Sequence, residues 1–153
     1  MAVHLDPDLR CRDGRLLQLL DWWRGFGRLH ARLPARADFD PLRMKGLLPN
    51  IYMADVIDGG RRFRWRLLGS DVITMAGRNA TGRFFDELYK AEDYRNFTAS
   101  FAAVVAAMQP MRSLGSFSFA DRSFIHFEAL EVPLTQDGAA VDVILGIAAQ
   151  YTD

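Results

Sequence analysis

The chain has 153 residues, half hydrophobic and a quarter charged, which is enough for one domain with a full core and too little for two. Nineteen Lys and Arg balance nineteen Asp and Glu, so no long-range field draws the protein to nucleic acid or to an anionic membrane. The single cysteine, Cys11, excludes an internal disulfide and a cysteine-built metal cluster.

The N-terminus has early acids and no apolar stretch of signal-peptide type. No run approaches the roughly 18 apolar residues of a membrane span, so a cytoplasmic protein is expected. Residues 14 to 32 carry Leu16, Leu20, Trp22, Trp23 and Phe26 at spacings of three and four, the pattern of an amphipathic helix with a broad apolar face. Adjacent tryptophans cannot share one side of a helix. The helix is therefore expected to cover a sheet face, to build a dimer contact, or both. Asp40 before Pro41 is a helix start, and Gly46 and Pro49 close that helix within about two turns.

Asn50 to Asp58 reads as a strand, Asp58-Gly59-Gly60 as a tight turn, and Arg62 to Leu68 as the returning strand. Alternation puts Arg62, Arg64 and Arg66 on one face of that strand and Phe63, Trp65 and Leu67 on the inner one. Residues 70 to 88 read as two short helices, capped by Ser70 or Asp71 and by Thr81, with Gly77 ending the first. Glu92 to Gln109 is a longer helix with Phe97, Phe101, Val104, Val105 and Met108 along one stripe, stopped by Pro110. Three strands complete the chain as an antiparallel meander: Met111 to Ala120, Ser123 to Leu134 and Ala140 to Tyr151. Their turns fall at Asp121-Arg122 and Gln136 to Gly138.

Two strands, short helices, a longer helix and three strands is the element order of a PAS domain. More narrowly, the chain resembles a family of stand-alone bacterial single-PAS-domain proteins. The resemblance rests on the tryptophan-bearing helix, Leu33-Pro34, Arg36 with Asp38-Phe39-Asp40-Pro41, and Leu47-Leu48-Pro49. It continues in Phe63, Arg64, Arg66, Leu67, Leu68 and Gly69, and in Gly77 with Thr81-Gly82-Arg83. It implies an α+β PAS fold, with a five-stranded antiparallel sheet carrying short helices and one long helix on one face, plus the N-terminal helix. Residues 1–49 would form that helix and its connector, and residues 50–153 the PAS domain. It also implies a sensory or regulatory role in signal transduction and no reaction.

On that geometry Trp65, Met75, Phe85, Phe101, Val105, Phe117 and Phe119 would surround a ligand cavity, or else simply fill the core. Arg66 and Arg83 could each grip a carboxylate or phosphate of a ligand, or form structural ion pairs with Asp55, Asp71, Asp86 or Glu87. Haem needs an axial histidine. His4, His30 and His126 all lie outside the helix where PAS haem ligands commonly sit, so haem is disfavoured. A cysteine-linked flavin or chromophore is excluded, because Cys11 lies far outside the helical region.

The phosphate-binding Gly-Lys-Ser/Thr loop, the His-Glu-x-x-His motif and the Gly-x-Ser-x-Gly motif are all missing, and no metal site is expected. The reading is therefore a non-catalytic sensory module, expected to be a homodimer, with a small apolar or amphipathic ligand, a signalling partner protein, or both. Two alternatives stand beside it. One is a ligand-free interaction module with a filled core; the other is a cone- or hot-dog-like α+β enzyme or carrier with an acid/base pair in its cavity.

Overall fold

The computed structural model describes residues 3–117 and 122–151. Its elements are β1 (His4–Asp6), α1 (Gly14–His30), β2 (Ile51–Ile57), β3 (Arg62–Leu68), α2 (Ser70–Ala76), α3 (Phe85–Leu88), α4 (Ala91–Ala107), β4 (Met111–Phe117), β5 (Arg122–Leu134) and β6 (Val143–Gln150). The strands form one antiparallel sheet in the order β1-β4-β5-β6-β2-β3. The five expected strands are all present. The sixth, β1, joins through Asp6, whose carboxylate accepts from Arg112 Nη1 at 2.9 Å in the adjacent β4. Three residues are too few to show alternation, so the strand was not visible in the sequence. Among the described residues no helix is long and apolar enough to cross a membrane.

Each face of the sheet carries its own core. On one face α1 buries Leu16, Leu19 and Leu20 against Leu130, Val132, Leu145 and Ile147 of β5 and β6. Asp13 caps that helix, its Oδ1 accepting from Arg15 N at 2.8 Å. Its two tryptophans diverge. Trp23 Nε1 donates to the Pro133 carbonyl at 3.0 Å, while Trp22 meets Phe39 edge-on at 5.5 Å. The second surface demanded by adjacent tryptophans is thus the 35–40 connector of the same chain. Phe26 is half-buried at the far end, its ring 4.3 Å from that of His30.

On the other face α2, α3 and α4 pack over Tyr52, Phe63, Trp65, Phe127 and Ala129. Gly69 joins β3 to α2, and a Cβ there would collide with the Leu48 and Pro49 carbonyls. The Leu47-Leu48-Pro49 and Gly69 motifs are therefore two sides of one close contact. The Thr81-Gly82-Arg83 turn hydrogen-bonds along the free edge of β3, with Gly82 N donating to Trp65 O at 2.7 Å and Trp65 N to Arg83 O at 3.0 Å. Gly82 has φ +86°, a conformation glycine adopts without strain.

Several local expectations need correction. Gly69, not Ser70 or Asp71, is the N-cap of α2. Thr81 caps no helix: its N–H and hydroxyl both donate to Asn79 Oδ1, and α3 starts later, with Glu87 accepting from Phe84 N. Met108 is not on the buried stripe but is the left-handed residue that ends α4, and it is 36% exposed. In β3 a bulge intervenes. Tyr52 pairs with Leu68 and Met53 with Leu67, but Ala54 pairs with Trp65, leaving Arg66 as the extra residue. Leu67 is consequently 38% exposed, and Leu68 takes the inner position expected for Leu67.

Candidate functional site

The helix-side core is not filled. Between sheet and helices lies a cavity with about 50 Å³ of free space, enough for a few waters. Tyr52, Trp65, Phe127, Ala129 and Ala148 form its floor, and Val72, Ala76 and Phe97 its roof. Val3 and the exposed Arg78 stand at its margin. The Trp65 ring is held from two sides, meeting Tyr52 edge-on at 5.7 Å and donating its Nε1–H to Tyr89 Oη at 3.0 Å. Burial pushes the Tyr89 phenol up to about 12, so it stays a neutral partner.

The polar centre is Glu131 of β5. Its residue is 3% exposed, and it lines the cavity from the apolar run Ala129 to Leu134 of that strand. Tyr52 Oη donates to Glu131 Oε2 at 2.6 Å, whereas Glu131 Oε1 is buried without a hydrogen-bond partner. Desolvation disfavours the charged form and pushes the carboxyl up to about 7; Tyr52 and Ser100, which favour the ionised form, offset only part of that. The same burial, with the nearby carboxylate, holds the Tyr52 phenol well above its usual range.

This pair is built across three strands. Gly146 of β6 pairs in register with Tyr52 on one side and with Glu131 on the other. A Cβ at position 146 would run into the Tyr52 ring. The glycine therefore opens the lane through which the tyrosine crosses β6 to reach the glutamate.

The expected cavity residues are distributed more widely. Trp65 lines the cavity. Met75, Phe85 and Phe101 are buried in the surrounding cluster, where Trp65 and Phe85 rings lie 4.4 Å apart, but they are not among the described lining residues. Val105 is half-buried and faces Gly60 of the β2–β3 turn. Phe117 ends β4 with its side chain outside what is described, and Phe119 lies outside the described residues.

Arg66 Nη1 lies 3.3 Å from Asp55 Oδ1, on the same carboxylate that Arg64 grips at 2.9 Å. Asp86 is taken by Arg62 at 2.7 Å. Arg83 is exposed and contributes its carbonyl to β3. Neither Arg66 nor Arg83 is among the described cavity residues. Cys11 packs with the core on the α1 face, across the sheet from the cavity. The free space is far short of a three-ring flavin, and the residues present do not fit that group.

Glu131 and Tyr52 were not singled out from the sequence. The available signals were one acid inside the apolar run from Ala129 to Leu134 and one glycine inside the apolar β6.

An antiparallel sheet with short helices and one long helix over a cavity is the arrangement of a PAS fold. The chain belongs to the PAS domain family, whose model matches residues 13–149. No curated protein matches it. Solved structures similar to it include an RNA-binding light-oxygen-voltage receptor, at 11% identity and TM-score 0.56, over 97% of this chain and 38% of that one. A light-oxygen-voltage domain studied with a flavin analogue is similar at 13% identity and TM-score 0.51, over 73% and 84%. The Rhodobacter sphaeroides LOV protein is similar at 11% identity and TM-score 0.50, over 73% and 68%. Likeness at this identity shows the shared fold.

Proposed function

We propose that the protein is a non-catalytic sensory or regulatory module that takes a small ligand into the cavity between sheet and helices. It relays the event to a partner protein or a second copy of itself. The observation that carries this reading is the cavity itself, apolar-walled and holding a buried carboxyl with one oxygen unpaired. A core that only needed filling would close such a space, because an unpartnered buried polar atom costs about 1–3 kcal/mol. That weighs against the ligand-free module.

Relay has a short physical route. Strands β5 and β6 wall the cavity on one face and carry α1 on the other, so a change at Ala148 or Glu131 is one sheet thickness from Leu16 and Leu20. Leu29 of α1, 82% exposed, and Leu17, 42% exposed, supply the outward apolar contacts. The Arg66 and Arg83 pair fits a structural role here better than ligand anchoring.

Native mass spectrometry of freshly purified protein tests the reading. The expected result is extra mass that persists under native conditions and is lost on denaturation. Protein of clean mass that also fails to take up small aromatic probes would leave the filled-core interaction module standing instead.

A further inference from the structure

Resting on that ligand-binding reading, we infer that Glu131 Oε1 is the recognition point of the cavity and that the ligand is a small uncharged molecule with an apolar body and one hydroxyl. The argument starts from what faces the carboxyl. Tyr52 of β2 occupies Oε2, and the Ser100 hydroxyl of α4 is a second donor toward the same carboxyl, favouring its ionised form. Ser113 of β4 lines the same space, with Arg78 at the margin and Tyr89 beneath Trp65. Among the described residues lining the cavity, Glu131 Oε1 is the buried side-chain oxygen that no geometric hydrogen bond reaches.

Charge narrows the ligand class. An anion would meet Glu131 in a buried, largely apolar site whenever that carboxyl is ionised. An ammonium would pass the Arg78 guanidinium and, once inside, be unpaired whenever Glu131 holds its proton. A neutral hydroxyl satisfies Oε1 in either state, donating to the carboxylate or accepting from the acid. The rest of the ligand needs only an apolar surface that can lie against Trp65, Phe97 and Phe127.

Phenol and toluene, nearly isosteric and differing in the hydroxyl, are the probes. Dissociation constants are read from shifts of the backbone amides and the Trp65 indole N–H in titrations of the full chain. In the wild type phenol binds more tightly than toluene by on the order of tenfold, one hydrogen bond to a buried carboxyl, although toluene is the more hydrophobic. Glu131→Leu abolishes that advantage while toluene still binds. Glu131→Gln, which keeps shape and one polar atom toward the cavity, restores part of it and covers the case where the leucine variant misfolds.

Equal binding of the two probes in the wild type overturns the assignment of Glu131 and leaves the ligand-binding reading intact. So does a phenol preference that survives in Glu131→Leu. Benzylammonium binding more tightly than phenol overturns the neutral-ligand assignment. Failure of every probe at millimolar concentration overturns both this inference and the reading beneath it.

Discussion

Glu128 and Glu131 stand three residues apart on β5, are each 3% exposed, and face opposite sides of the sheet. On the α1 side, Glu128 is saturated. Its Oε2 accepts from Arg112 Nε at 2.6 Å and from Arg12 N at 2.9 Å, and its Oε1 from Asp13 N at 2.9 Å. Arg112 continues the network to Asp6, which in turn accepts from Asp8 N and Arg10 N. That carboxylate fastens β1, β4 and the start of α1 to β5. On the helix side Glu131 has a tyrosine, a serine and one oxygen without a geometric hydrogen bond, and it lines the cavity. One buried glutamate is spent on structure and the other is left available, and the difference lies in the partners.

The comparison breaks hardest at Arg112. Replacing it as Arg112→Leu leaves Asp6 and Glu128 buried together without their cation, and removing one partner of such a network costs about 3–5 kcal/mol. Chemical denaturation is expected to show that loss, together with earlier exchange of the β1 amides. If Arg112→Leu unfolds at the wild-type midpoint, the network is not holding β1, and the contrast with Glu131 loses its structural half.

The fold was legible because its signals are local. Apolar spacing marks α1 and α4, Gly77 and Pro110 end helices, an apolar run before the Asp58-Gly59-Gly60 turn marks β2, and alternation marks β3. The site was less legible for a physical reason. Tyr52, Gly146 and Glu131 are neighbours only through the pairing of β2 with β6 and β6 with β5, and nothing local announces that register. The aromatic and methionine cluster led to Met75, Phe85 and Phe101, which are the packed surroundings, whereas the cavity is defined by where packing stops. The Arg66 bulge was hidden for a related reason: an alternating pattern does not show where one residue is skipped.

Glu131→Gln sharpens the comparison through pH. The carboxyl moves from its ordinary 4.5 in the unfolded chain to about 7 in the fold, chiefly by desolvation. A raised carboxyl means that the folded state binds the proton more tightly. Stability is therefore fully present below about pH 4.5 and is lost as pH rises through about 7, by roughly 3 kcal/mol. The glutamine variant lacks this slope, so unfolding curves of the two proteins should diverge between those limits and run parallel above. The acids held low, such as Asp13 and Asp38, act at lower pH and with opposite sign, and they cancel in the difference. Parallel curves throughout would mean that Glu131 is better solvated than its geometry implies.

The smallest effect tests the lane itself. Gly146→Ala puts a methyl where the Tyr52 ring lies, so the ring must swing away from Glu131 or β6 must shift. Overpacking of this kind costs about 1–3 kcal/mol. Because the collision is with one side chain, Tyr52→Leu should relieve it: the alanine then costs less than it does with the tyrosine in place. A double-mutant cycle measures that coupling as non-additivity between residues in contact. Additive losses would place the cost of alanine in the β6 backbone, and Gly146 would then serve the strand and not the tyrosine. Coupled losses, with toluene still bound and phenol no longer preferred, would show that Tyr52 orients Glu131 toward the cavity.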